Sequence, residues 1–565
     1  MQNSVNDNLI AKILALGTAF TTIFIVSGSV TDPVNTPKLL ALGVFSTSAF
    51  GVFILSRPSA ILRRNLSLFI SLLLFFIFML NAVISSDSPV SQNLYGVYGR
   101  NNGMFTYIFL ILALISTLSL NSKKGFHLLV KSLLVAGMIN IIYCLWVIAF
   151  GDFIGWSNPY GNILGTLGNP NFIGSFLGIF FSALLAYGLS PTVSMGIRYS
   201  LLIILPLTLF EIIKSHAIQG LVVAALGSGI VGFFYVRSKF QSAFSFLYAV
   251  LFGILGTVAL LGALQIGPLA KFIYKTSVSL RGQYWLAAWN TGEVHPFTGV
   301  GMDAFGDWYR QSRDSHALEL PGVNTVVNAA HNVPLDMFAF GGWPLFIAYI
   351  SIMAGAMLAI VRFMLREKAY DPVFVALFTA WAGYQIQSII SINQIGLAVW
   401  GWVLTGALIA YEFHTRPTPE LLNTQKNKTL RMNQRTQFQS ISMLTGALGG
   451  IIGLLVALPP FSADSKWRAA QSTRTDLAIV DSMKPSLFNP MNSMKYMNNI
   501  ISLSQAQLFD LAHQYAVEAT RWNSESFELW RVLYFMENST EEERALALEN
   551  MKRLDPLNPN VLEIP

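Results

Sequence analysis

The chain has 565 residues, of which 53% are hydrophobic, 13% aromatic and only 12% charged. Soluble domains carry about 25% charged residues, so this composition excludes an ordinary soluble protein and indicates an integral membrane protein. The formal net charge of +7 suggests a nucleic-acid partner at first sight. The basic residues, however, are scattered over short loops between hydrophobic runs, which is a topological pattern, and we expect no nucleic acid among the partners.

Apolar segments long enough to cross a bilayer follow one another along most of the chain. A spanning helix needs about 20 apolar residues, and about thirteen segments qualify or nearly qualify. The sequence therefore predicts an all-α fold, a polytopic membrane protein with about 12–13 transmembrane helices. Two of the segments, 199–213 and 217–236, are so close that they could instead form one broken element. The expected spans are 9–29, 38–56, 66–85, 104–120, 127–150, 171–190, 199–213, 217–236, 242–263, 332–361, 373–392, 396–412 and 439–459.

Lysine and arginine collect in one alternating set of the short loops that connect these spans. Cationic side chains near a helix end tend to stay in the cytoplasm, so the bias predicts a cytoplasmic N-terminus. The basic loops are those around 57–64, 123–124, 198, 237–239, 362–368 and 416–435, and the other set of short loops contains essentially Lys38, Arg100 and Lys214. The segments expected on the outer face are 86–103, 151–170, 264–331 and the part after about 460.

The composition changes after about residue 460 to that of a soluble helical module. From Leu508 onward apolar residues recur at helical spacing. The ending LDPLNPNV, Leu554 to Val561, has the Pro and Asn punctuation of tetratricopeptide-like repeats. We therefore divide the chain into a membrane domain, 1–460, and an extracytoplasmic, tetratricopeptide-like module, 461–565. This module is expected either to cap the membrane domain or to bind a protein partner.

One polar stretch, Lys271 to His331, interrupts the apolar pattern within the outer-face loop of about 264–331, and we expect it to hold the chemistry. The chain has neither a phosphate-binding GxxxxGK-S/T loop nor an HExxH motif, and no Cys and His spacing that suits a metal. We therefore expect no metal and no cofactor, and an ATP-driven pump is disfavoured.

Several loops on the predicted outer face are rich in Gly, Asn, Arg and aromatic residues. The most specific part of this set is the Arg281 segment, followed by a Pro-x-x-Gly-x-Gly turn at Pro296 to Gly301 and by His331-Asn332 at the start of the next helix. The loops are YGVYGRNNGMF (Tyr95 to Phe105), GTLGNPNFIGS (Gly165 to Ser175), KSHAIQG (Lys214 to Gly220), RGQYWLAAW (Arg281 to Trp289), HPFTGVGMDAF (His295 to Phe305) and HNVPLD (His331 to Asp336).

Taken in this order, the loops resemble those of the O-antigen ligase-like superfamily, which includes lipopolysaccharide O-antigen ligases, O-antigen polymerases and bacterial protein O-oligosaccharyltransferases. The resemblance covers roughly residues 95–400. It implies a glycosyltransferase of the bacterial inner membrane that takes a glycan from an undecaprenyl diphosphate carrier. The implied acceptor is a hydroxyl of lipid A core, of another glycan chain or of a protein. Which of these acceptors is used stays open.

The residue types in these loops suit that chemistry. Guanidinium groups bind diphosphate oxygens bidentately, so Arg281 and Arg100 are the expected donor-binding residues. KSHAIQG stands where relatives often have Ser-Arg-Gly, so Lys214 or His216 is a possible substitute for that arginine. An imidazole titrates near neutral pH, and His331 is the expected base for the acceptor hydroxyl. We expect inversion by direct displacement, without a metal.

Other polar residues have simpler expected roles. Gly299 and Gly301 are expected to shape a turn with positive φ. Asn169 precedes a helix, where capping is the default explanation, and Asn332 opens the helix after His331. Arg281 could instead anchor a helix end to lipid headgroups. The glutamines at 385 and 387 either join helices or line a cavity for the donor, because buried amides need partners.

A flippase or secondary transporter for a lipid-linked glycan is the main alternative from another class. Such a protein also has about a dozen helices, and it is expected to carry ionisable residues near the bilayer midplane and an internal repeat. Glu211 is the main candidate for a midplane charge, and no internal repeat is visible. A glycosyltransferase therefore explains the loop motifs better.

Overall fold

A computed structural model of the chain describes residues 2–56, 58–191, 193–417, 432–473 and 475–564. Within these ranges the secondary structure is helical, apart from one isolated β-bridge between Ser486 and Asn489. Eleven helices of the described chain are long and apolar enough to cross a membrane, and Met104–Thr117 is a shorter apolar helix. The predicted all-α, polytopic membrane fold is therefore confirmed.

The predicted spans all overlap helices of this bundle. Segments 199–213 and 217–236 belong to two separate helices joined by residues 215–217. The first helices are α1 (Gln2–Ile23), α2 (Asn35–Ile54), α3 (Pro58–Arg64), α4 (Leu66–Ile84), α5 (Val90–Tyr95), α6 (Met104–Thr117), α7 (Lys123–Phe150), α8 (Pro170–Gly188), α9 (Met195–Lys214), α10 (Ile218–Lys239) and α11 (Ser242–Ala263). They are followed by α12 (Ala270–Ile273), α13 (Thr276–Val294), α14 (Phe305–Ser312), α15 (Val333–Arg366), α16 (Pro372–Ile390), α17 (Ile395–His414) and α18 (Met432–Thr473).

Helix starts in the bundle follow local sequence rules. α8 begins at Pro170, and the side chain of the preceding Asn169 accepts a hydrogen bond from the N–H of Asn171 at 2.9 Å. α16 begins at Pro372 after the capping residue Asp371. Proline suits the first helical position because its missing N–H has no intrahelical partner there. These starts place the connecting loops at the ends of the bundle.

Helix α17 lies at the centre of the membrane part. Its most apolar 18-residue stretch is 100% buried, whereas the corresponding stretch of α11 is 6% buried. α11 is apolar with its side chains exposed, which suits a helix that contacts lipid. Around α17, the ring of Trp402 packs against those of Tyr107 from α6 and Tyr349 from α15. This aromatic core fixes the helices that carry the polar loops.

The segments predicted on the outer face meet at one end of the bundle. Asn35 Nδ2 donates a hydrogen bond to the carbonyl of Gly99 at 2.7 Å. Asn102 Nδ2 donates to the carbonyl of Asn393 at 2.7 Å. Loops that are far apart in sequence therefore form one polar surface at this end.

Basic residues lie at the opposite end. Arg366 pairs with Glu412 at 2.8 Å, and Arg64 donates to the carbonyl of Leu118 at 3.1 Å. Of the predicted basic loops, residue 57 and residues 418–431 lie outside the described residues. The orientation of the bundle in the membrane stays a prediction from the distribution of charge.

Helix α18 carries the chain out of the bundle. It has 42 residues, which corresponds to a length of about 63 Å, roughly twice the hydrocarbon core of a bilayer. Its last turns contact the outer loops, since Asp464 accepts a hydrogen bond from the N–H of Asp32 at 2.8 Å. The domain boundary proposed at about 460 therefore falls inside a continuous helix.

A second hydrophobic core, separate from that of the bundle, lies in the C-terminal module. It is built from residues between Ile479 and Val561. Successive helices pack on each other, and α23 starts with a capping box in which Thr540 and Glu543 bond each other's backbone N–H groups. The helices are α19 (Asp476–Met483), α20 (Ser493–Gln505), α21 (Phe509–Trp522), α22 (Phe527–Phe535), α23 (Glu541–Leu554) and α24 (Pro559–Leu562).

The module is fixed to α14 by a buried cluster of charged side chains. The two oxygens of Asp555 accept hydrogen bonds at 2.7 Å, one from Arg310 and the other from Arg313. The side chains of Arg313 and Asp555 are 0% exposed. Arg310 also pairs with Glu528 at 2.9 Å and lies 4.4 Å from the ring centroid of Phe527. Separating the module from α14 would leave these charges unpaired.

Replacement of Asp555 by Asn tests the strength of this attachment. The change leaves two buried guanidinium groups without their shared counter-charge, which costs about 3–5 kcal/mol. We expect a lower thermal unfolding midpoint in detergent and faster proteolytic release of the module. Asp481→Asn is the matched control, because its pair with Lys484 is 72% and 69% exposed, and it should cost less than about 1 kcal/mol. Equal midpoints for the two variants would contradict the prediction.

Candidate functional site

The site is organised around a break in helix α15. Gly341 and Gly342 have non-helical backbone angles, with φ −141° and +65°, and Pro344 follows. Pro344 has no N–H, so the carbonyl of Phe340 loses its helical donor. The carbonyl of Ala339 also lacks its usual donor, because the N–H of the residue four positions later points elsewhere. The break therefore divides α15 into a short first half, residues 333–340, and a long second half.

The Pro-x-x-Gly-x-Gly turn closes this break. The N–H of Val300 donates to the carbonyl of Ala339 at 3.0 Å, and the N–H of Gly301 donates to the carbonyl of Phe340 at 3.0 Å. In return, the N–H of Trp343 donates to the carbonyl of Pro296 at 2.8 Å. Each backbone group freed by the break thus finds a partner in the turn. We call this turn, Pro296 to Gly301, the plug of the broken helix, because it supplies these hydrogen-bond partners.

Gly299 and Gly301 have positive φ, +62° and +110°, which confirms that expectation. A Cβ at Gly299 would overlap the carbonyl of Phe340, and a Cβ at Gly301 would overlap the side chains of Ser86 and Asn93. Close backbone approach therefore requires glycine at both positions, in addition to the left-handed conformation.

The first half of α15 begins at the predicted His331-Asn332 pair. Asn332 Oδ1 accepts a hydrogen bond from the N–H of Leu335 at 3.1 Å and caps the helix. His331 has φ +57°, which directs the chain into this start. Asp336 is buried in the first turn and accepts the N–H of Ala330 at 2.7 Å. The imidazole therefore lies at the N-terminal end of the half-helix.

Arg100 lies in a loop whose backbone is held by Asp303. Oδ2 of Asp303 accepts hydrogen bonds from the N–H of Val97 at 2.8 Å and the N–H of Asn102 at 3.3 Å. Asp303 follows the turn that plugs α15, so the two features are linked along the chain. The guanidinium of Arg100 donates no hydrogen bond to any described residue, and its Nη1 is buried. It is held in place through the backbone of its loop.

Arg281 lies in the second turn of α13. Its Nε donates to the carbonyl of Ile390 at 2.7 Å, and its Nη1 donates to the carbonyl of Ser277 at 3.0 Å. Among the described residues it has no carboxylate partner. The ring of Tyr284, one turn later, lies 5.4 Å from the ring of His331 between centroids. Tyr284 therefore lies beside His331, one turn along the helix from Arg281.

The charges of the two arginines act on the histidine, so the three side chains form one electrostatic group. Burial and then the positive charges of Arg100 and Arg281 lower the pKa of His331 to about 3. The imidazole is therefore neutral at neutral pH. Burial also lowers the pKa of Arg100, while Asp303 and Asp336 partly offset that effect. Burial raises the pKa of Asp303 to about 6, against the opposing influence of Arg100.

Other predicted site residues lie apart from this group. Lys214 is exposed at the end of α9, and His216 is exposed in the turn that follows. Lys214 Nζ lies 5.7 Å from the ring centroid of Phe210. Within the described residues, neither has a contact with the two arginines or His331. Asn169 caps α8, as described above. The donor-binding role of Lys214 and His216 and the site-shaping role of Asn169 stay predictions.

Three residues that the sequence reasoning did not single out belong to the site. Asp303 and Asp336 lie within the quoted motifs HPFTGVGMDAF and HNVPLD, and Tyr284 lies within RGQYWLAAW. The signal that could have found the aspartates is their charge, because a carboxylate in an apolar context beside glycines needs donors. Within the described chain, no group of three or more His, Cys, Asp or Glu residues is placed to hold a metal ion.

Fold and site together define a polytopic membrane protein with a cationic, loop-built site at one end of its bundle. Residues 201–350 match the family model described as O-antigen ligase. This match confirms the predicted resemblance to the O-antigen ligase-like superfamily, and it includes Arg281 and His331. It indicates a glycosyltransferase-like enzyme in general terms. A search of curated proteins finds no match.

Gly299→Ala tests the plug of the broken helix. The added methyl group would overlap the carbonyl of Phe340 and also strain a positive φ. We therefore expect the free energy of unfolding, measured by thermal unfolding, to fall by about 3 kcal/mol or more. The control is Gly267→Ala, where φ is +82° and nothing lies within 4 Å of the new atom. In Gly267→Ala the alanine is strained by a positive φ, but its methyl group overlaps no other atom. A loss no greater than in the control would show that the close approach is unimportant.

Asp303→Asn tests the buried carboxyl through pH. The pKa of Asp303 is raised from 3.8 to about 6, with Arg100 and Asp307 facing it. Because the folded state binds this proton more tightly than the unfolded state, the protonated carboxyl stabilises the fold fully below pH 3.8. This stabilisation is lost as the pH rises through about 6. Between about pH 4.5 and about pH 7, wild type should therefore lose about 2 kcal/mol more stability than Asp303→Asn. Parallel profiles of unfolding midpoint against pH would contradict this.

Proposed function

We propose that the protein transfers a glycan from an undecaprenyl diphosphate carrier to an acceptor hydroxyl at the outer face of the bacterial inner membrane. The observation that supports this is the grouping of Arg100 and Arg281 beside His331, with neither guanidinium paired to a carboxylate among the described residues. Asp303 and Asp336 face Arg100, but each bonds backbone N–H groups. The site therefore suits an anion with several charges, and a lipid diphosphate is one.

The start of α15 adds to the attraction for such an anion. The first half of the helix presents the positive end of its dipole beside His331. Phosphate groups bind well at such helix starts. The plug formed by the turn at Pro296 to Gly301 holds this half-helix in place, so its N-terminus is preorganised for the diphosphate rather than ordered by it.

His331 is the general base in this proposal. In the ligand-free protein its low pKa keeps the ring neutral, but it also makes the imidazole a weak base. A bound diphosphate would offset the positive charges of Arg100 and Arg281 and so raise the pKa, while the effect of burial would stay. The base therefore becomes effective when the donor is in place, which links proton removal to donor binding.

The transfer itself is a single displacement. The acceptor oxygen attacks the anomeric carbon, its proton passes to His331, and the bond between that carbon and the diphosphate oxygen breaks. Undecaprenyl diphosphate leaves, and the two arginines stabilise the charge that develops on it. The configuration at the anomeric carbon is inverted, and no metal takes part.

The acceptor class defines which member of the superfamily this protein is. A ligase would use lipid A core, an O-antigen polymerase another glycan chain, and a protein O-oligosaccharyltransferase a hydroxyl of a protein. We propose the ligase, on the basis of the His331-Asn332 motif and the long outer loop. Reconstitution with an undecaprenyl diphosphate glycan and each acceptor in turn separates the three. Chain lengthening without added acceptor would identify a polymerase.

A lipid-linked glycan transporter remains the candidate from another class. Glu211, the main candidate for a midplane charge, lies in the last turn of α9 rather than at its middle. A carboxylate at that depth is not a midplane site, so this residue does not favour transport. Movement of labelled carrier across vesicles without any glycan transfer would support the transporter instead.

Substitutions at Arg281 and His331 test the proposed roles in reconstituted vesicles. Arg281→Ala should lower transfer by about 100-fold or more with a raised KM for donor, because one charge facing the diphosphate is lost. Arg281→Lys should recover only part of the transfer activity, because lysine lacks the planar guanidinium that binds two oxygens at once. His331→Gln should lower kcat by about 100-fold or more and change donor KM little.

Lys275→Ala is the matched control, because Lys275 is an exposed cation at the start of the same helix. It should retain wild-type transfer. Full activity in both Arg281→Ala and His331→Gln, in protein that still inserts and folds, would overturn the proposed site.

A further inference from the structure

The side chain of Arg100 does not hold its own loop in place. The guanidinium donates no hydrogen bond to a described residue. The neighbouring backbone is left-handed at Gly96, Gly99 and Asn101, with φ of +85°, +83° and +56°. The position of the charge is therefore determined by whatever holds this backbone.

One side of the loop is held by Asp303, and the other side is held by the outer end of α18. The hydroxyl of Tyr98 donates to Asp464 Oδ1 at 3.3 Å. The ring of Tyr98 meets the ring of Trp467 edge to face, 5.0 Å between centroids. Trp467 is 2% exposed and Asp464 is 3% exposed. Tyr98, two residues before Arg100, is therefore fixed by a buried aromatic contact and a buried carboxylate.

Asp464 joins three segments through a single carboxylate. Besides Tyr98, its Oδ2 accepts the N–H of Thr31 at 3.0 Å and the N–H of Asp32 at 2.8 Å. Asn35, just after these residues, donates to the carbonyl of Gly99 at 2.7 Å. The start of α2 and the end of α18 therefore hold the same side of the loop.

The C-terminal module supports both sides at once. It continues directly from α18, and Ser91 of α5 donates to the carbonyl of Met491 in the module at 3.3 Å. A small cavity between them is lined by Tyr98 and Asp464 together with Asn492 of the module. On the other side the module binds α14 through Asp555, and α14 begins two residues after Asp303.

We propose that the outer end of α18 and the module it carries position Arg100 for the donor diphosphate, with Tyr98 and Trp467 as the positioning residues. The proposal rests on the proposed function, because it assigns Arg100 to the donor. It gives the module a role inside the enzyme, in place of the capture of a protein partner. A displacement of about 1 Å at such a site can cost about 100-fold in rate, so modest loosening has a measurable effect.

The test uses the full chain in vesicles with an undecaprenyl diphosphate glycan as donor. Trp467→Ala should raise donor KM about tenfold or more and change kcat much less, because the base His331 is untouched. Trp467→Phe keeps an aromatic edge and should stay near wild type. Tyr98→Phe removes one hydroxyl and should raise donor KM by a smaller factor. Phe535→Ala, at a 67% exposed position in the module, is the control and should leave KM unchanged.

A second measurement separates positioning from general damage. In an Arg100→Ala background, Trp467→Ala should raise donor KM no further, because it acts through the missing guanidinium. Additive effects in that background would overturn the positioning role, as would wild-type KM in folded Trp467→Ala and Tyr98→Phe. If Trp467→Ala does not fold, Tyr98→Phe decides alone. Wild-type transfer by Arg100→Ala would instead refute the assignment of Arg100 to the donor.

Discussion

A buried backbone carbonyl must find a hydrogen-bond donor within the protein, and this requirement shapes the end of the molecule that holds the site. Pro344 and the two preceding glycines open helix α15, and the turn from Pro296 to Gly301 supplies the missing donors. The half-helix that starts after His331 exists because of this exchange. Asp303, which holds the Arg100 loop, follows directly from the same turn. One set of backbone hydrogen bonds therefore positions the histidine and the first arginine together.

The charges of the site are balanced by different means. Arg281 is held by two backbone carbonyls, and Arg100 faces two carboxylates that bond backbone N–H groups. Because none of these contacts is a close ion pair, both guanidinium groups keep donors for a ligand. Burial and, to a smaller extent, the charges of both arginines lower the pKa of His331, so an anion bound between them would raise it.

The C-terminal module contacts α14 and the segments around the Arg100 loop. Its attachment through Asp555 uses charges that are buried on both sides of the interface. Burying such charges is costly unless each one is paired, so the attachment has a narrow set of geometries. A module held in this way transmits its position to α14 and to the loop at Tyr98. The membrane part and the module therefore act as one unit at the outer end.

The membrane class and the helices could be predicted from the sequence, and the structure confirms both. Long apolar runs predict spans because the bilayer has a fixed thickness. Arg100, Arg281 and His331 were expected at the site because their loop motifs and side-chain chemistry suit a diphosphate donor and an acceptor hydroxyl. Gly299 and Gly301 were also predicted correctly, since their motif marks a turn. These signals are local, and each can be read within one segment.

The tertiary structure alone decided which segments meet. Asp555 binds Arg313 across 242 residues of sequence, and no periodicity or motif reveals such a pair. The hydrogen bonds between the break in α15 and the turn at Pro296 to Gly301 could not be predicted either. The turn motif does not indicate which carbonyls it will bond. The role of Asp303 follows from the same pairing. Long-range contacts of this kind depend on how the helices pack, so they appear only when the bundle and the module are assembled.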